Sequence, residues 1–398
     1  MKWETYKLKQ LCSEIVDCVN KTAPTSDVPT PYKMLRTSDI RDGKINLEDL
    51  NCVTKEVYEK WTRRGKLQKG DVIFTREAPL GEVGLVREDK NYFLGQRLVL
   101  FRANDKMCDG RFLMYSLLWH DNKQAIISKG VGSTVAHLRV PECENIEIKV
   151  PDLDAQHRIA DILSAYDDLI ENNQKQIKLL EEAAQRLYKE WFVDLRFPGH
   201  ENTKIVDGVP EGWSKSAVGN ICKLRKVVIT PDKIESNTPY IGLEHMPRND
   251  ICLSTWGKSE EINSNKFIYL KKDVLFGKIR PYFHKVGFAL NDGITSTDTM
   301  VMVADQNLWG LLLVTVSSDA FVDFSYQNCK EGAKMPRADW KQMEKYAIMI
   351  ADQATQKLFE QEILVITNKI STLAFQCRSL REARDRMLPK LMGGEVEV

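Results

Sequence analysis

Short apolar bursts mark residues 71–75, 83–87 and 97–102, and they return at 273–277, 285–290 and 299–303. β-Branched and aromatic residues fill them and glycine or proline bounds them, which predicts strands. A helical pattern follows each trio, near 110–127 and near 307–326. Next comes a glycine-bearing loop, KGVGST (129–134) or KEGAKM (330–335). Each half then has one more junction, IEIKVPDLDAQHRIADIL (146–163) or YAIMIADQATQKLFEQEI (346–363). Both read as an alternating strand, an Asp-containing turn and the start of a helix.

The recurrence extends along the chain. WETYKLKQLC (3–12) matches WSKSAVGNIC (213–222) at an offset of 210, and KGDVIF (69–74) matches KKDVLF (271–276) at 202. Pro79 falls on Pro281, and Val83-Gly84 on Val286-Gly287. From Gly132 and Gly332 onward the offset holds at 200 without a gap. It drifts only in loop-like stretches, where insertions cost little. The chain of 398 residues is therefore a duplication of a unit of about 200.

After each junction the apolar positions step by four and three. The first series is Ile159, Leu163, Tyr166, Ile170, Asn173, Ile177, Leu180, Ala184, Leu187 and Trp191. The second is Phe359, Ile363, Ile366, Ile370, Leu373, Cys377, Leu380, Arg384, Met387 and Leu391. Such spacing predicts a coiled-coil seam, with burial against a globular domain as the alternative. Asn173 either fixes the register or marks a wet gap, and Cys377 and Arg384 are expected to loosen the packing of the second helix. The first helix leaves one domain and ends at the next, so the second must run back to pair with it. The expected fold is α+β: two repeated α/β domains, 1–150 and 201–350, and two spacer helices, 151–200 and 351–398. The helices form an antiparallel coiled coil with a pseudo-two-fold. At ~1.5 Å per residue the first stripe spans roughly 50 Å.

Composition narrows the functional classes. Net charge is +1, so a nucleic-acid surface has to be a local basic face. Nine scattered cysteines without a CxxC pair point to reduced thiols, and six scattered histidines without HExxH give no zinc signature. No apolar run approaches the roughly 20 residues of a membrane span, and MKWETYKLKQ carries no apolar signal core, so a cytoplasmic location is expected. GxGxxG, P-loop and GxSxG motifs are lacking, as is an Asn-Pro-Pro or Asp-Pro-Pro followed by an aromatic. The triplets Glu88-Asp89-Lys90 and Glu147-Ile148-Lys149 read as chance occurrences on solvent faces. The pattern is that of a spacer-and-clamp device that binds something twice.

At family level, IKVPDLDAQHRIADIL with DDLIENNQKQIKLLEEAAQRLYKEWF (167–192) resembles the first central segment of type I restriction–modification specificity subunits. RDRMLPKLMGGEVEV (384–398) is similar to the end of such chains, and GDVIFTREAPLGEVGLV (70–86) to a strand pair of their target recognition domains. Ala351 departs from the pattern where the first junction has Pro151. The resemblance implies two target recognition domains that read a split site on double-stranded DNA, with two methyltransferase subunits and restriction/motor subunits as partners. S-adenosylmethionine, ATP and Mg would belong to those partners; this chain is expected to be non-catalytic and to hold no cofactor or metal. A related assembly that cuts on both sides of its site is one alternative, and a coiled-coil scaffold without nucleic acid another.

Base edges and phosphates call for Arg, Lys, Ser, Thr and similar donors on projecting loops. The candidates in the first domain are Lys129, Ser133, Thr134, His137 and Arg139 around the glycine loop, with Arg36 and Arg76 on earlier loops. In the second they are Lys330, Lys334 and Arg337, with Lys278, Arg280 and Tyr282 after KKDVLF.

Overall fold

A computed structural model of the chain describes residues 2–131, 136–260, 262–329 and 335–398. It divides into two compact units, Met1–Leu169 with Leu380–Val398, and Ile170–Ser379.

The first unit is built on a four-stranded antiparallel sheet in the order Cys12–Asp17, Leu98–Ala103, Val72–Thr75, Val83–Leu85. Side chains alternate across its faces. Val72, Phe74, Val99 and Phe101 enter a core shared with the helix Gly110–Leu118. Ile73, Leu98 and Leu100 enter a second core with Leu35, Tyr92 and Leu94. Those last residues belong to a smaller sheet ordered Asn51–Cys52, Lys33–Leu35, Tyr92–Leu94. Burial of both faces explains why these strands read as nearly continuous apolar runs.

The second unit repeats the plan. Its main sheet runs Cys222–Leu224, Thr299–Ala304, Val274–Gly277, Val286–Ala289, and adds Cys252–Leu253 in parallel at the edge. Val274, Phe276, Met300 and Met302 face one core, while Leu275 and Val301 face the other. In both units a two-stranded ribbon joins the start of the repeat to the strand before the long helix. Glu4–Lys7 pairs antiparallel with Glu147–Val150, and Ser214–Ala217 with Ala347–Ile350.

The helix expected over 110–127 is two helices, Gly110–Leu118 and His120–Ser128. Trp119 is extended between them (φ −57°, ψ 131°), and the Asn122 side-chain Nδ2 donates to the Ser116 carbonyl at 2.8 Å. The stretch 307–326 likewise divides into Trp309–Val316 and Asp319–Gln327, because the Ser318 hydroxyl accepts from the Phe321 amide and starts a new helix.

The long helices span Leu153–Tyr188, continued by a π-helical turn Lys189–Val193, and Gln353–Met392. An aspartate 200 positions apart caps each one. The Asp152 carboxylate accepts from the Ala155 amide at 2.9 Å, and that of Asp352 from the amides of Ala354 and Thr355 at 3.0 and 3.1 Å. Asp352→Ala is expected to cost about 1 kcal/mol, read as a lower denaturant midpoint for the second unit and faster amide exchange in the first turn of its helix.

The seam residues serve two ends. In the first unit Ile159 and Leu163 share a core with Leu391 and Met392. In the second, Phe359, Ile363 and Ile370 share one with Ala184, Trp191 and Phe192, and the Phe359 ring stands edge-on to Phe192 at 4.7 Å. Leu373 and Cys377 are buried, while Tyr166, Ile177, Leu180, Leu187, Ile366, Leu380 and Met387 are half-buried. The stripes thus bury against their own domains as well as meeting each other. Within the second unit the Asn173 amide reaches the Gln376 side chain at 3.4 Å, and Cys377 donates to the Ile170 carbonyl at 3.7 Å. Numbers fall along one helix as they rise along the other, so the pair is antiparallel. The first unit has the same sense, with Arg384 against Asp167.

Arg384 and Cys377 do not loosen the second helix. The Arg384 guanidinium bonds the buried Asp167 carboxylate at 2.5 Å, and the Tyr115 hydroxyl donates to the other oxygen at 2.6 Å. A buried charge with a charged partner and a further hydrogen bond is tolerated where an unpaired one is not.

Candidate nucleic-acid interface

Each unit brings together two loops that lie far apart in sequence. In the first, the loop after Val72–Thr75 meets the segment downstream of the glycine loop. The Leu138 amide donates to the Arg76 carbonyl at 3.0 Å, and Glu77 bridges His137. In the second, the Ala338 amide donates to the Lys278 carbonyl at 2.9 Å, the Arg280 amide to the Pro336 carbonyl at 2.8 Å, and Ile279 bridges Arg337. Arg76 and Lys278 also donate their own amides at 2.8 Å to the equivalent carbonyls of Arg97 and Asp298. One backbone frame has been built twice.

Inside that frame the charged residue after the central strand is a strut. Arg76 is only 17% exposed; its guanidinium bonds Asp17 at 2.9 Å and the Leu138 carbonyl at 3.2 Å. Lys278 is half-buried and donates to the Thr297 carbonyl at 2.7 Å. Burial holds its amine below the ordinary lysine range, with Arg337 and Lys226 adding repulsion against the pull of Asp298. Arg36 closes on the buried Asp39 carboxylate with Nε at 3.0 Å and Nη2 at 2.8 Å. All three side chains shape loops; Arg76 is the most enclosed, whereas Arg36 keeps 38% of its side chain exposed.

The outward-facing candidates are fewer. Lys129 is exposed at the end of His120–Ser128, and half-buried His137 exchanges backbone hydrogen bonds with Val131 at 3.0 Å. Arg139 is 74% exposed while bonded to Glu142 at 2.7 and 3.0 Å, and Arg337 is 59% exposed, 3.2 Å from Asp298. Tyr282 projects from the loop, its ring edge-on to Phe283 and to Tyr326 at 4.9 and 5.2 Å. Ser133, Thr134, Lys330 and Lys334 lie outside the described residues.

Arg280 and Ala78 occupy the same position of the frame. Both precede a proline and both are left-handed, with φ of 51° and 50°. The frame is therefore conserved between the units in geometry and not in side chains: Ala78, Leu80 and Gly81 stand where Arg280, Tyr282 and Phe283 stand.

The model for the type I restriction modification DNA specificity domain matches residues 1–182. The type I restriction enzyme MjaIX specificity subunit of Methanocaldococcus jannaschii is 24% identical over 377 residues, covering 86% of this chain and 82% of that one. Residues 1–182 thus match the type I DNA specificity domain, and the chain as a whole is similar to type I restriction enzyme specificity subunits. The putative type I restriction enzyme MjaX specificity subunit of the same organism is 28% identical over 226 residues, 55% of this chain and 52% of that one. The crystal structure of a type I restriction-modification system S subunit from M. genitalium shares the fold, with a TM-score of 0.60 at 16% identity, covering 98% of this chain and 96% of that one.

The sequence alone did not single out Arg248, Phe283 or Tyr326. The Arg248 guanidinium lies 4.1 Å from the centre of the Phe283 ring, across 35 positions of chain. RPYF at 280–283 signalled an aromatic loop, but nothing local to Arg248 announced its partner. Among the described residues, no group of three or more His, Cys, Asp or Glu side chains is placed to hold a metal ion, and no helix is long and apolar enough to cross a membrane.

Proposed function

We propose that this chain is the DNA-reading subunit of a type I restriction–modification complex and that each unit recognises one half of a split target. The observation that carries the reading is the doubled loop frame with different side chains at equivalent positions, Ala78, Leu80 and Gly81 against Arg280, Tyr282 and Phe283. Sequence-specific readout needs a rigid scaffold that presents interchangeable donors and apolar groups to base edges. The long helices are the docking surface for two methyltransferase subunits, and restriction/motor subunits complete the assembly. S-adenosylmethionine, ATP and Mg act in those partners. This subunit contributes recognition without catalysis and works in the cytoplasm with the DNA.

The test is methylation mapping of DNA exposed to the full chain with its methyltransferase partner. A split motif carrying methyladenine is the expected outcome. Exchanging residues 1–150 for those of another family member should change one half of the motif and leave the other as it was. A change in both halves, or in neither, would refute the assignment of one half-site to each unit.

A further inference from the structure

Arg36, Arg76, Arg139 and Arg337 all have a carboxylate partner. Arg248 and Arg280 differ: no ion pair engages either among the described residues, and both approach the same aromatic ring. The Cζ of Arg248 is 4.1 Å from the Phe283 centroid and that of Arg280 is 5.7 Å away. Lys285 is close enough to Arg248 for the two cations to repel, and its amine donates to the Leu243 carbonyl at 2.5 Å. Glu244 pulls the other way on Lys285, but no carboxylate forms an ion pair with Arg248 or Arg280 among the described residues, so their positive charge is gathered beside one ring, which favours an electron-rich ligand.

The ring is held firmly. Phe283 lies in a 3-10 turn, Pro281–Phe283, between two left-handed residues, Arg280 and His284. The turn is closed by hydrogen bonds from the Phe283 amide to the Arg280 carbonyl and from the His284 amide to the Pro281 carbonyl, each 2.8 Å. The His284 ring is fixed to the Ser317 carbonyl at 2.9 Å. The segment carrying Arg248 is tied to the same turn by the Asn249 amide, which donates to the His284 carbonyl at 3.1 Å.

Stacking a guanidinium on a ring fixes its plane and leaves its N–H fork at the edge. A phosphate needs only a positive charge, whereas a guanine edge, with O6 and N7 side by side, needs an oriented fork. We propose that Arg248, oriented by Phe283, reads a guanine in the half-site recognised by the second unit. The inference rests on the DNA-recognition reading above. Arg248 is the base-reading residue and Phe283 the positioning residue. The first unit has Gly81 at the place of Phe283, so the device belongs to the second half-site alone.

The experiment uses the full chain with its methyltransferase partner, the mapped target duplex, and a panel in which each base pair of that target is replaced in turn. Arg248→Ala should lose roughly 5- to 150-fold of discrimination at one G·C pair of one half-site. It should bind the duplex already altered at that pair as the wild type does. Arg248→Lys, which keeps the charge without the stacked fork, should fail in the same way. Phe283→Tyr should keep the preference and Phe283→Leu should relax it at the same pair; equal effects of the two would overturn the positioning role.

Uniform weakening by Arg248→Ala across the panel, with the slope of log affinity against log salt reduced by about one, would mark a phosphate contact and overturn the proposal. An unaltered panel would overturn it as well. A wild type that prefers no duplex sequence would overturn the recognition reading and this inference together, whereas a selective wild type with an unaltered Arg248→Ala profile overturns only the inference.

Discussion

Asp167→Ala is expected to destabilise the first unit by about 3–5 kcal/mol, the usual consequence of removing one partner from a buried ion pair. The substitution takes from Arg384, 17% exposed, its buried carboxylate and leaves it only the exposed Asp385 at 2.8 Å, and it leaves the buried Tyr115 hydroxyl without its acceptor. Most of the loss comes from stranded polar groups and not from the pair's own attraction. Replacing Asp167 and Arg384 together with leucine should therefore recover much of it, because a buried pair exchanged for apolar side chains is often neutral. Tyr115→Phe alone should cost about 1 kcal/mol. Denaturant unfolding, followed by amide exchange in each unit, separates these outcomes. A double variant no more stable than Asp167→Ala would show that the pair itself is favourable.

The second large effect depends on pH. Glu181, on the first long helix, accepts hydrogen bonds from the amides of Ile251 and Cys252 at 3.0 and 3.1 Å beside the edge strand of the second unit. Burial, helped by nearby Asp250, pushes its pKa up to about 8, against the two amides and Lys178, which favour the charged form. Because the folded value lies above the unfolded one, the folded state holds a proton that the unfolded chain releases near pH 4.3. The group's stabilising contribution is complete below that pH and is lost as pH rises through about 8. Glu181→Gln keeps an acceptor for both amides and removes the titration. It should be close to neutral at pH 5 and stabilising by a few kcal/mol at pH 8, up to about 1.4 kcal/mol per pH unit across the window. Parallel stability–pH curves for wild type and variant would show that Glu181 does not titrate there.

Much of the architecture was legible because duplicated patterns reinforce each other. KGDVIF and KKDVLF occupy the same central strand, and the two Asp-containing turns proved to be helix caps. The helix breaks at Trp119 and Ser317–Ser318 were not legible, since the apolar spacing runs on through them and only backbone geometry and a side-chain cap reveal the interruption. Arg384 was misjudged for a related reason. A charge on a seam looks disruptive until Asp167, 217 positions away, is seen opposite it. At the loops, Arg76, Lys278 and Arg280 follow the strands Val72–Thr75 and Val274–Gly277, as their sequence positions indicate. The sequence did not separate the struts, whose partners are Asp17 and the Leu138 and Thr297 carbonyls, from the guanidinium beside Phe283. Loop chemistry of that kind is set by contacts of long sequence separation, which periodicity does not encode.

The two closing ribbons bear on how these lobes respond to mechanical load. Glu4 lies opposite Val150, and Ser214 opposite Ile350, so each lobe's chain enters and leaves side by side at one end of its ribbon. Tension applied at those points peels the paired strands one hydrogen bond at a time instead of shearing the whole ladder at once. The load therefore meets the ribbon before it reaches the sheets behind it.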